Sequence, residues 1–231
     1  MTSTSAGRYR NPSRPSVVGS LLYLLPNLPL GVAGFAAVSI LTTLGIGTVI
    51  VWIGVPVLAM LVAGARGAAR LERLRVHALL GTFVATPYRP LPGDGQAARW
   101  RTRLWDGATW RDIAYFVLLL PIGIAEFVIL IACWSVGLAL LTLPVYFRYL
   151  PGGAYFFPDE THAWVIVDST LKALPWAMVG LVLTALSVLI TRMMGAGHAR
   201  LARLLLGPGR RAGNLREDRA DGPVPATNAL A

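Results

Sequence analysis

The sequence predicts an all-α polytopic membrane protein with four transmembrane helices, arranged as two tandem two-helix repeats with cytoplasmic helical extensions. The first observation is composition: 55% of the 231 residues are apolar and 14% are charged, against roughly 25% charged in an average soluble domain. The second is that the apolar residues fall in four blocks, each long enough to cross a bilayer. These observations exclude a soluble enzyme and, because the chain has one cysteine, a disulfide scaffold.

The four spans are predicted at residues 17–44, 48–65, 113–143 and 171–190. A tight turn at Gly45-Ile46-Gly47 predicts that the first two spans form an antiparallel hairpin. About 20 apolar residues suffice to cross a bilayer, so the first and third spans are long enough to tilt or kink. Pro26, Pro29 and Pro121 mark the expected kinks, because proline removes a helix hydrogen bond.

The distribution of charge predicts the orientation of the spans. The chain carries 21 basic and 11 acidic residues, yet the segment between the third and fourth spans holds only Arg148 and Lys172 as basic residues. Cationic segments remain on the cytoplasmic side of a membrane. We therefore expect a multi-pass protein of the inner (plasma) membrane with both termini and the 66–112 loop in the cytoplasm, and with the 144–170 loop outside.

This orientation divides the chain into a cytoplasmic segment at 1–16, a membrane domain at 17–207 and a disordered cytoplasmic tail at 208–231. A strongly basic chain can also bind nucleic acid, but the one-sided placement of the charge favours anionic lipid headgroups instead. We expect the bilayer to be a partner and nucleic acid not to be one.

The two halves of the chain look alike. Five residues of the first half recur 92 positions later: Tyr23, Pro29, Gly31, Phe35 and Gly45 correspond to Tyr115, Pro121, Gly123, Phe127 and Gly137. Two spans per unit preserve orientation, which predicts a parallel repeat about an axis along the membrane normal. The alternative is chance similarity between apolar helices.

The second and fourth spans are expected to continue into the cytoplasm as stalks. Arg66, Arg70 and Arg73 share one helical face, opposite a stripe of Leu71, Leu74 and Ala78. Gly81 and Gly207 are the predicted stops. Either the arginines snorkel to lipid headgroups, or the stalks carry movement to a partner. The candidate interface residues are Arg66, Arg70, Glu72, Arg73, Arg75, Trp110, Arg111, Arg200 and Arg203.

Residues for catalysis are scarce. The sequence has no metalloprotease helix motif, phosphate-binding glycine loop or nucleophile elbow, so we expect no enzyme activity, no cofactor and no metal. Cys133 is expected to be an inert apolar residue. His77, His162 and His198 are far apart in the sequence, and each is expected to be interfacial or solvated. Thr109, with Asp112 three residues later, predicts a cap for the third helix.

Glu126 is the one charged residue at span depth. It follows Ile113 by 13 residues, about 20 Å of helix, which places it near mid-bilayer. An ionisable group at that depth should face the helix bundle, paired or protonated. It has either a structural role or a role toward an ion, a proton or a ligand.

The outer 144–170 segment supplies the other candidates for ligand or proton sensing. They are Asp159, Glu160, His162 and Trp164, in a segment rich in aromatic residues. An aromatic belt at the outer interface explains these residues, and a pocket for a small apolar ligand or lipid is the alternative.

Three motifs together resemble the membrane sensor domain family of actinobacteria, whose members often precede two-component histidine kinases. They are Leu28-Pro29-Leu30-Gly31, the A-R-L-E-R-L-R run at 69–75 followed by Leu79-Leu80-Gly81, and Thr109-Trp110-Arg111. The likeness covers about residues 17–207. It implies a membrane input module without catalytic residues, and since nothing after Gly207 is long enough for a kinase, it implies a separate kinase partner.

Taken together, the sequence predicts a sensor or regulatory module that relays an envelope or membrane signal to a separate cytoplasmic or membrane partner, with two-component signalling as the expected setting. The expected protein partners are a histidine kinase or another signalling protein, and a second copy of the chain. The alternative is a small transporter or channel subunit in which Glu126 lines the path.

Overall fold

The computed structural model describes residues 16–88, 95–159 and 161–208. In this part of the chain six α-helices carry the fold. They are α1 (Val17–Leu24), α2 (Asn27–Gly47), α3 (Gly54–Leu80), α4 (Gln96–Trp105), α5 (Gly107–Tyr146) and α6 (Thr170–Leu206). Two three-residue strands, β1 (Tyr155–Phe157) and β2 (Val165–Val167), lie between α5 and α6.

Four helical segments are long and apolar enough to cross a membrane, which confirms the predicted four-span fold. They are Val17–Gly47, Gly54–Leu80, Gly107–Tyr149 and Thr170–Leu206. The exposed surface is correspondingly apolar: Ile50 is 87% exposed, Trp52 81% and Met178 62%. Apolar surface on this scale is typical of a face that contacts lipid. The predicted segments 1–16 and 208–231 lie almost wholly outside the described residues.

The second and fourth spans continue past their arginines, as the sequence predicted. Helix α3 ends at Leu80, and Gly81 has a left-handed φ of 63° with its N–H donated to the His77 carbonyl at 3.1 Å. Glycine adopts this conformation without steric cost. Helix α6 ends at Leu206, and the Gly207 N–H bonds to the Arg203 carbonyl. Both predicted stops are confirmed.

The start of α5 differs from the sequence prediction. Asp106 is the N-cap, and its carboxylate accepts the Ala108 N–H at 3.1 Å. The cap predicted from Thr109 and Asp112 was wrong, because both side chains bond to α3 instead: Thr109 accepts from Arg66 at 2.8 Å and Asp112 from Arg73 at 3.1 Å. A hydrogen bond to Arg66 and an ion pair with Arg73 therefore hold the two side chains that were predicted to cap the helix.

Helices α2 and α5 meet at glycines from corresponding repeat positions. A Cβ on Gly31 would lie 2.8 Å from the Leu119 carbonyl oxygen, and one on Gly123 would lie 2.8 Å from that of Asn27. Glycine permits such close backbone approach between membrane helices. Asn27 of α2 thus lies against Gly123 of α5, and Gly31, one turn later on α2, lies against Leu119, one turn earlier on α5. The two helices are therefore antiparallel at this contact. The parallel packing expected from the repeat was wrong here, because the glycines place each unit against the other in the reverse direction.

Helices α2 and α3 form one antiparallel hairpin, in which Gly45 lies against Leu58, and α5 and α6 form a second one through small residues. A Cβ on Gly137 would lie 3.0 Å from the Thr184 nitrogen, and one on Gly180 would overlap the Leu141 backbone. The main core lies where both hairpins and α1 converge, with Tyr23, Leu24, Val76, Tyr115 and Leu206 among its fully buried members.

A smaller core closes the end of the α5–α6 hairpin that holds the 144–170 segment, which the charge pattern predicts to be the outer one. Leu143, Phe147, Val167 and Ala173 are buried there. Strands β1 and β2 pair antiparallel above it, and the Phe157 ring stacks on the Trp176 ring with centroids 4.2 Å apart. This small sheet gives the aromatic outer segment a folded structure that its composition alone did not predict.

Candidate functional site

The main core contains a cluster of polar side chains that we call the central network. Each of the four spans contributes to it, and nearly all of the cluster is buried. Its members are Tyr23, Asn27, Glu72, Arg75, Tyr115, Glu126 and His198. Polar groups that are buried in this way need partners among themselves, because water cannot supply them.

Glu72 of α3 is the acceptor at one end of the central network. Its Oε1 atom accepts the hydroxyl of Tyr23 and, at 3.0 Å, that of Tyr115. The two tyrosine oxygens lie 3.3 Å apart. They occupy corresponding positions of the two repeats, so the internal symmetry of the chain brings both hydroxyls to one carboxylate on α3.

Arg75 balances the charge of Glu72. Its Nη1 atom donates to Glu72 Oε2 at 2.9 Å, and its Nη2 atom donates to Asn27 Oδ1 at 2.7 Å and to the Tyr23 carbonyl. The guanidinium also lies 4.3 Å from the centroid of the Tyr23 ring. Arg75 therefore ties α3 to both α1 and α2.

Glu126 and His198 form the other end of the central network. His198 Nδ1 lies 2.7 Å from Glu126 Oε1, and His198 Nε2 lies 3.0 Å from the Tyr115 hydroxyl. Asn27 Nδ2 donates to Glu126 Oε2 at 2.7 Å. Tyr115 consequently joins the two ends, since its oxygen contacts both Glu72 and His198.

The predicted pairing of Glu126 with another span agrees with this geometry, and its mid-bilayer position stays a prediction. Its partner His198 lies six residues beyond Arg192 on α6, about 9 Å past the last apolar stretch at 1.5 Å per residue. Helix α5 has 40 residues, about 60 Å and twice the thickness of a bilayer core. Counting from its start therefore does not locate the bilayer centre.

Two arginines of α3, Arg66 and Arg73, point into the protein rather than to lipid headgroups. Arg66 is 8% and Arg73 6% exposed, whereas Leu71 is 69% and Leu74 65% exposed. Arg66 pairs with Asp106 at 2.9 Å and Arg73 with Asp112 at 3.1 Å. The snorkelling role expected for Arg66 and Arg73 was wrong, because acids from the following loop and helix neutralise them inside the protein.

Tyr88, from the segment after α3, covers this ion-pair cluster. Its hydroxyl donates to Asp112 Oδ2 at 2.7 Å and accepts from Arg73 at 3.2 Å. Its ring lies under the Arg66 guanidinium, 4.5 Å from the centroid. Burial raises the pKa of the Tyr88 hydroxyl, and the hydrogen bond from Arg73 opposes that rise.

The remaining candidates for a stalk surface lie outward. Arg70, Arg200 and Arg203 are exposed, and Arg111 is half-buried. Trp110 is 60% exposed, and its indole N–H donates to the Leu104 carbonyl at 3.0 Å. These positions remain free to meet headgroups or a partner.

The described candidates of the 144–170 segment lie in a tight turn or are exposed to solvent. Asp159 accepts the Thr161 and His162 backbone N–H groups and the Thr161 hydroxyl within a tight turn. These bonds, that of the Thr161 hydroxyl first, lower the pKa of Asp159. The His162 side chain is 80% exposed and Trp164 81% exposed. Glu160 lies outside the described residues.

Sequence reasoning missed four members of the central network: Tyr23, Asn27, Tyr115 and His198. His198 was expected to be interfacial or solvated, and that expectation was wrong because α6 turns it into the core, where it is 3% exposed. The recurrence of tyrosine at 23 and 115 was the available signal for the site. Asn27 had no such signal.

An apolar groove of about 400 Å³ lies beside the central network between α2 and α3. Leu41 and Leu61 line one end of it, and Glu72 and Arg75 border the other. Among the residues that the structure describes, no group of His, Cys, Asp and Glu side chains could hold a metal ion.

Comparison with known proteins gives one match. The model of the Sensor family, described as "Putative sensor", matches residues 23–206. No curated protein matches the chain, and no solved structure does. The matched region runs from Tyr23 of the central network to the last residue of α6 and covers most of the chain. The chain therefore belongs to the Sensor family of sensing domains.

Proposed function

We propose that this chain is a membrane sensor module that relays an envelope or membrane signal through the central network to a separate partner. The observation that carries the proposal is that all four apolar segments contribute to one buried polar cluster. In a chain with 14% charged residues, side chains that join spans in this way are costly to bury. Coupling of the spans to one another is a function that would account for the burial of these side chains.

The network couples helices because, apart from the Arg75–Glu72 bond within α3, its bonds cross between helices. Arg75 of α3 contacts α1 and α2, and Tyr115 of α5 contacts α3 and α6. A signal acts only if it binds one arrangement of the helices better than another. The apolar groove offers a membrane component access to Glu72 and Arg75, so its occupancy would bear directly on the network.

The proposed sidedness follows from the arginines. The 66–112 region would face the cytoplasm and the β1–β2 hairpin would face outward, in the plasma membrane. The exposed Arg70, Arg200 and Arg203 would then contact anionic headgroups or the partner. Helix α3, which carries Glu72 and the exposed Arg70, would carry the movement to that side.

Labelling of single cysteines tests this sidedness. In a Cys133→Ala background, Thr161→Cys should react with a membrane-impermeant maleimide added to intact cells, and Gln96→Cys should react only after the cells are permeabilised. Both positions are exposed. Reaction of Gln96→Cys in intact cells would contradict the proposal.

The proposed partner is a histidine kinase or another signalling protein, since the motifs resemble domains that precede such kinases. Co-purification in mild detergent should recover it, and the Glu72→Gln variant should change its phosphorylation level in cells. Lys172→Gln, an exposed position in the outer part of α6, is the matched control and should not. Unchanged phosphorylation in Glu72→Gln would contradict a relay, and solute flux through liposomes holding this chain alone would favour a transporter.

A further inference from the structure

The hydrogen-bond geometry around Tyr115 limits where protons can be. The Tyr115 oxygen lies 3.0 Å from Glu72 Oε1 and 3.0 Å from His198 Nε2. A tyrosine has one hydroxyl proton, and a carboxylate oxygen accepts only. When Tyr115 donates to Glu72, His198 Nε2 must therefore carry a proton and donate it to the Tyr115 oxygen.

The other ring nitrogen of His198 also needs a proton. Nδ1 lies 2.7 Å from Glu126 Oε1, a distance that two unprotonated acceptors do not tolerate. Asn27 Nδ2 donates to the other carboxylate oxygen, Oε2, at 2.7 Å and lies 3.4 Å from Nδ1, and neither contact places a proton between Oε1 and Nδ1. The orientation of the Asn27 amide is set by Arg75, which donates to its Oδ1 atom.

The Glu126–His198 pair thus holds two protons in this arrangement. The proton between Oε1 and Nδ1 makes the pair an imidazolium with a carboxylate or an imidazole with a carboxylic acid, and either form is neutral overall. The facing groups are Tyr23 of α1, Asn27 of α2, Glu72 and Arg75 of α3, and Tyr115 of α5. Since Glu72 and Arg75 cancel, the whole network is neutral.

Removal of one proton gives a second arrangement of the same heavy atoms. The remaining histidine proton stays on Nδ1, facing the Glu126 carboxylate, and leaves a lone pair on Nε2. The Tyr115 hydroxyl then turns from Glu72 to His198 Nε2, and Glu72 loses one donor. The network carries one net negative charge in this state, which burial disfavours.

We propose that the Glu126–His198 pair is a proton-binding site and that the Tyr115 hydroxyl reports its occupancy to Glu72 on α3. The ligand is a proton, taken up reversibly without any other reactant. The inference names the signal that the proposed sensor detects, and it rests on the proposed function in that respect only. Proton binding itself is a property of the isolated chain.

Histidine side-chain NMR on the full chain in detergent tests the binding site directly. With ¹⁵N-labelled histidine, the wild type should show one histidine that is protonated on both nitrogens or strongly hydrogen-bonded at Nδ1, and that loses a proton as the pH rises. His198→Gln identifies the signal by its loss, and His162→Gln, on the exposed outer turn, should leave it unchanged. A His198 whose two ring-nitrogen shifts stay constant at every pH at which the protein stays folded would overturn the proposal.

A label on α3 tests the report to Glu72. With Leu74→Cys in a Cys133→Ala background, an environment-sensitive dye should change emission over the pH range in which His198 titrates. The change should vanish in Glu126→Gln and also in Tyr115→Phe, while Tyr115→Phe keeps the histidine titration. An emission change that persists in Tyr115→Phe would overturn the hydroxyl report. Titration with no effect on the partner's phosphorylation would contradict only the proposed function.

Discussion

Two acid–histidine pairs occupy opposite ends of the α5–α6 hairpin. In the central network, Glu126 and His198 are 72 positions apart in the sequence. Their side chains lie 2.7 Å from each other and are 9% and 0% exposed. In the outer turn, Asp159 and His162 are three residues apart and lie 3.2 Å from each other, with side chains 51% and 80% exposed. The same two types of side chain join separate helices in one region and stabilise a local turn in the other.

The difference shows why proximity in sequence was a poor guide to the site. The outer pair attracted attention because its residues are neighbours, yet solvent screens their interaction. Glu126 of the inner pair was a candidate, but its pairing with His198 was not predicted because the two residues lie on different helices. Burial there removes the competing water, so each group depends on its protein partners.

The largest expected difference in stability is between loss of a buried ion pair, Arg73–Asp112, and loss of an exposed one, Lys172–Asp168. Asp112→Ala should leave the buried Arg73 guanidinium without its carboxylate and lower the free energy of unfolding by about 3–5 kcal/mol. Asp168→Ala removes the exposed partner of Lys172 and should have no measurable effect. Unfolding of both variants in detergent micelles measures the difference. Equal losses would show that burial of the Arg73 pair contributes nothing.

The next largest expected difference in stability is between substitution of the buried His198 and substitution of the exposed His162. His198→Ala should leave Glu126 and Tyr115 without a partner and cost about 1–3 kcal/mol for each buried group so affected. His162→Ala, on the exposed outer turn, should change the free energy of unfolding by less than about 0.5 kcal/mol. Thermal unfolding of the two variants side by side is the measurement. A stable His198→Ala protein would mean that water replaces the imidazole.

Glu126→Gln should have a smaller effect than removal of His198. Glutamine keeps the size of the side chain and still accepts a hydrogen bond from Asn27, so the fold should remain with a loss of about 1 kcal/mol. Loss of the folded state in this variant, judged by circular dichroism and by elution in size-exclusion chromatography, would show that the negative charge itself is required.

The smallest effect concerns pH at the outer turn. The hydrogen bonds from Thr161 and His162 hold the folded-state pKa of Asp159 below its ordinary value. Their stabilisation should therefore be fully present above about pH 4, the unfolded value, and be lost as the pH falls through the folded pKa. The Thr161 and His162 amide shifts report this titration by NMR. Asp159→Asn should abolish it.

Local features of the sequence predicted much of the fold. The stops at Gly81 and Gly207 were correct because a helix end depends on one residue and its immediate neighbours. The burial of Arg66 and Arg73 was not predictable, because Asp106 and Asp112 reach them only after the chain has turned back. The outer sheet was missed for a similar reason, since three-residue strands give little periodicity.

By itself, the sequence determined the four apolar spans, the repeat and the family likeness, because hydropathy, spacing and motif are properties of the chain. Only the tertiary structure decided which polar groups meet. Gly31 and Gly123 let α2 and α5 approach in opposite directions, and that contact sets Asn27 against Glu126 and brings Tyr115 to Glu72. These contacts depend on the relative positions of whole helices, which no local pattern in the sequence predicts.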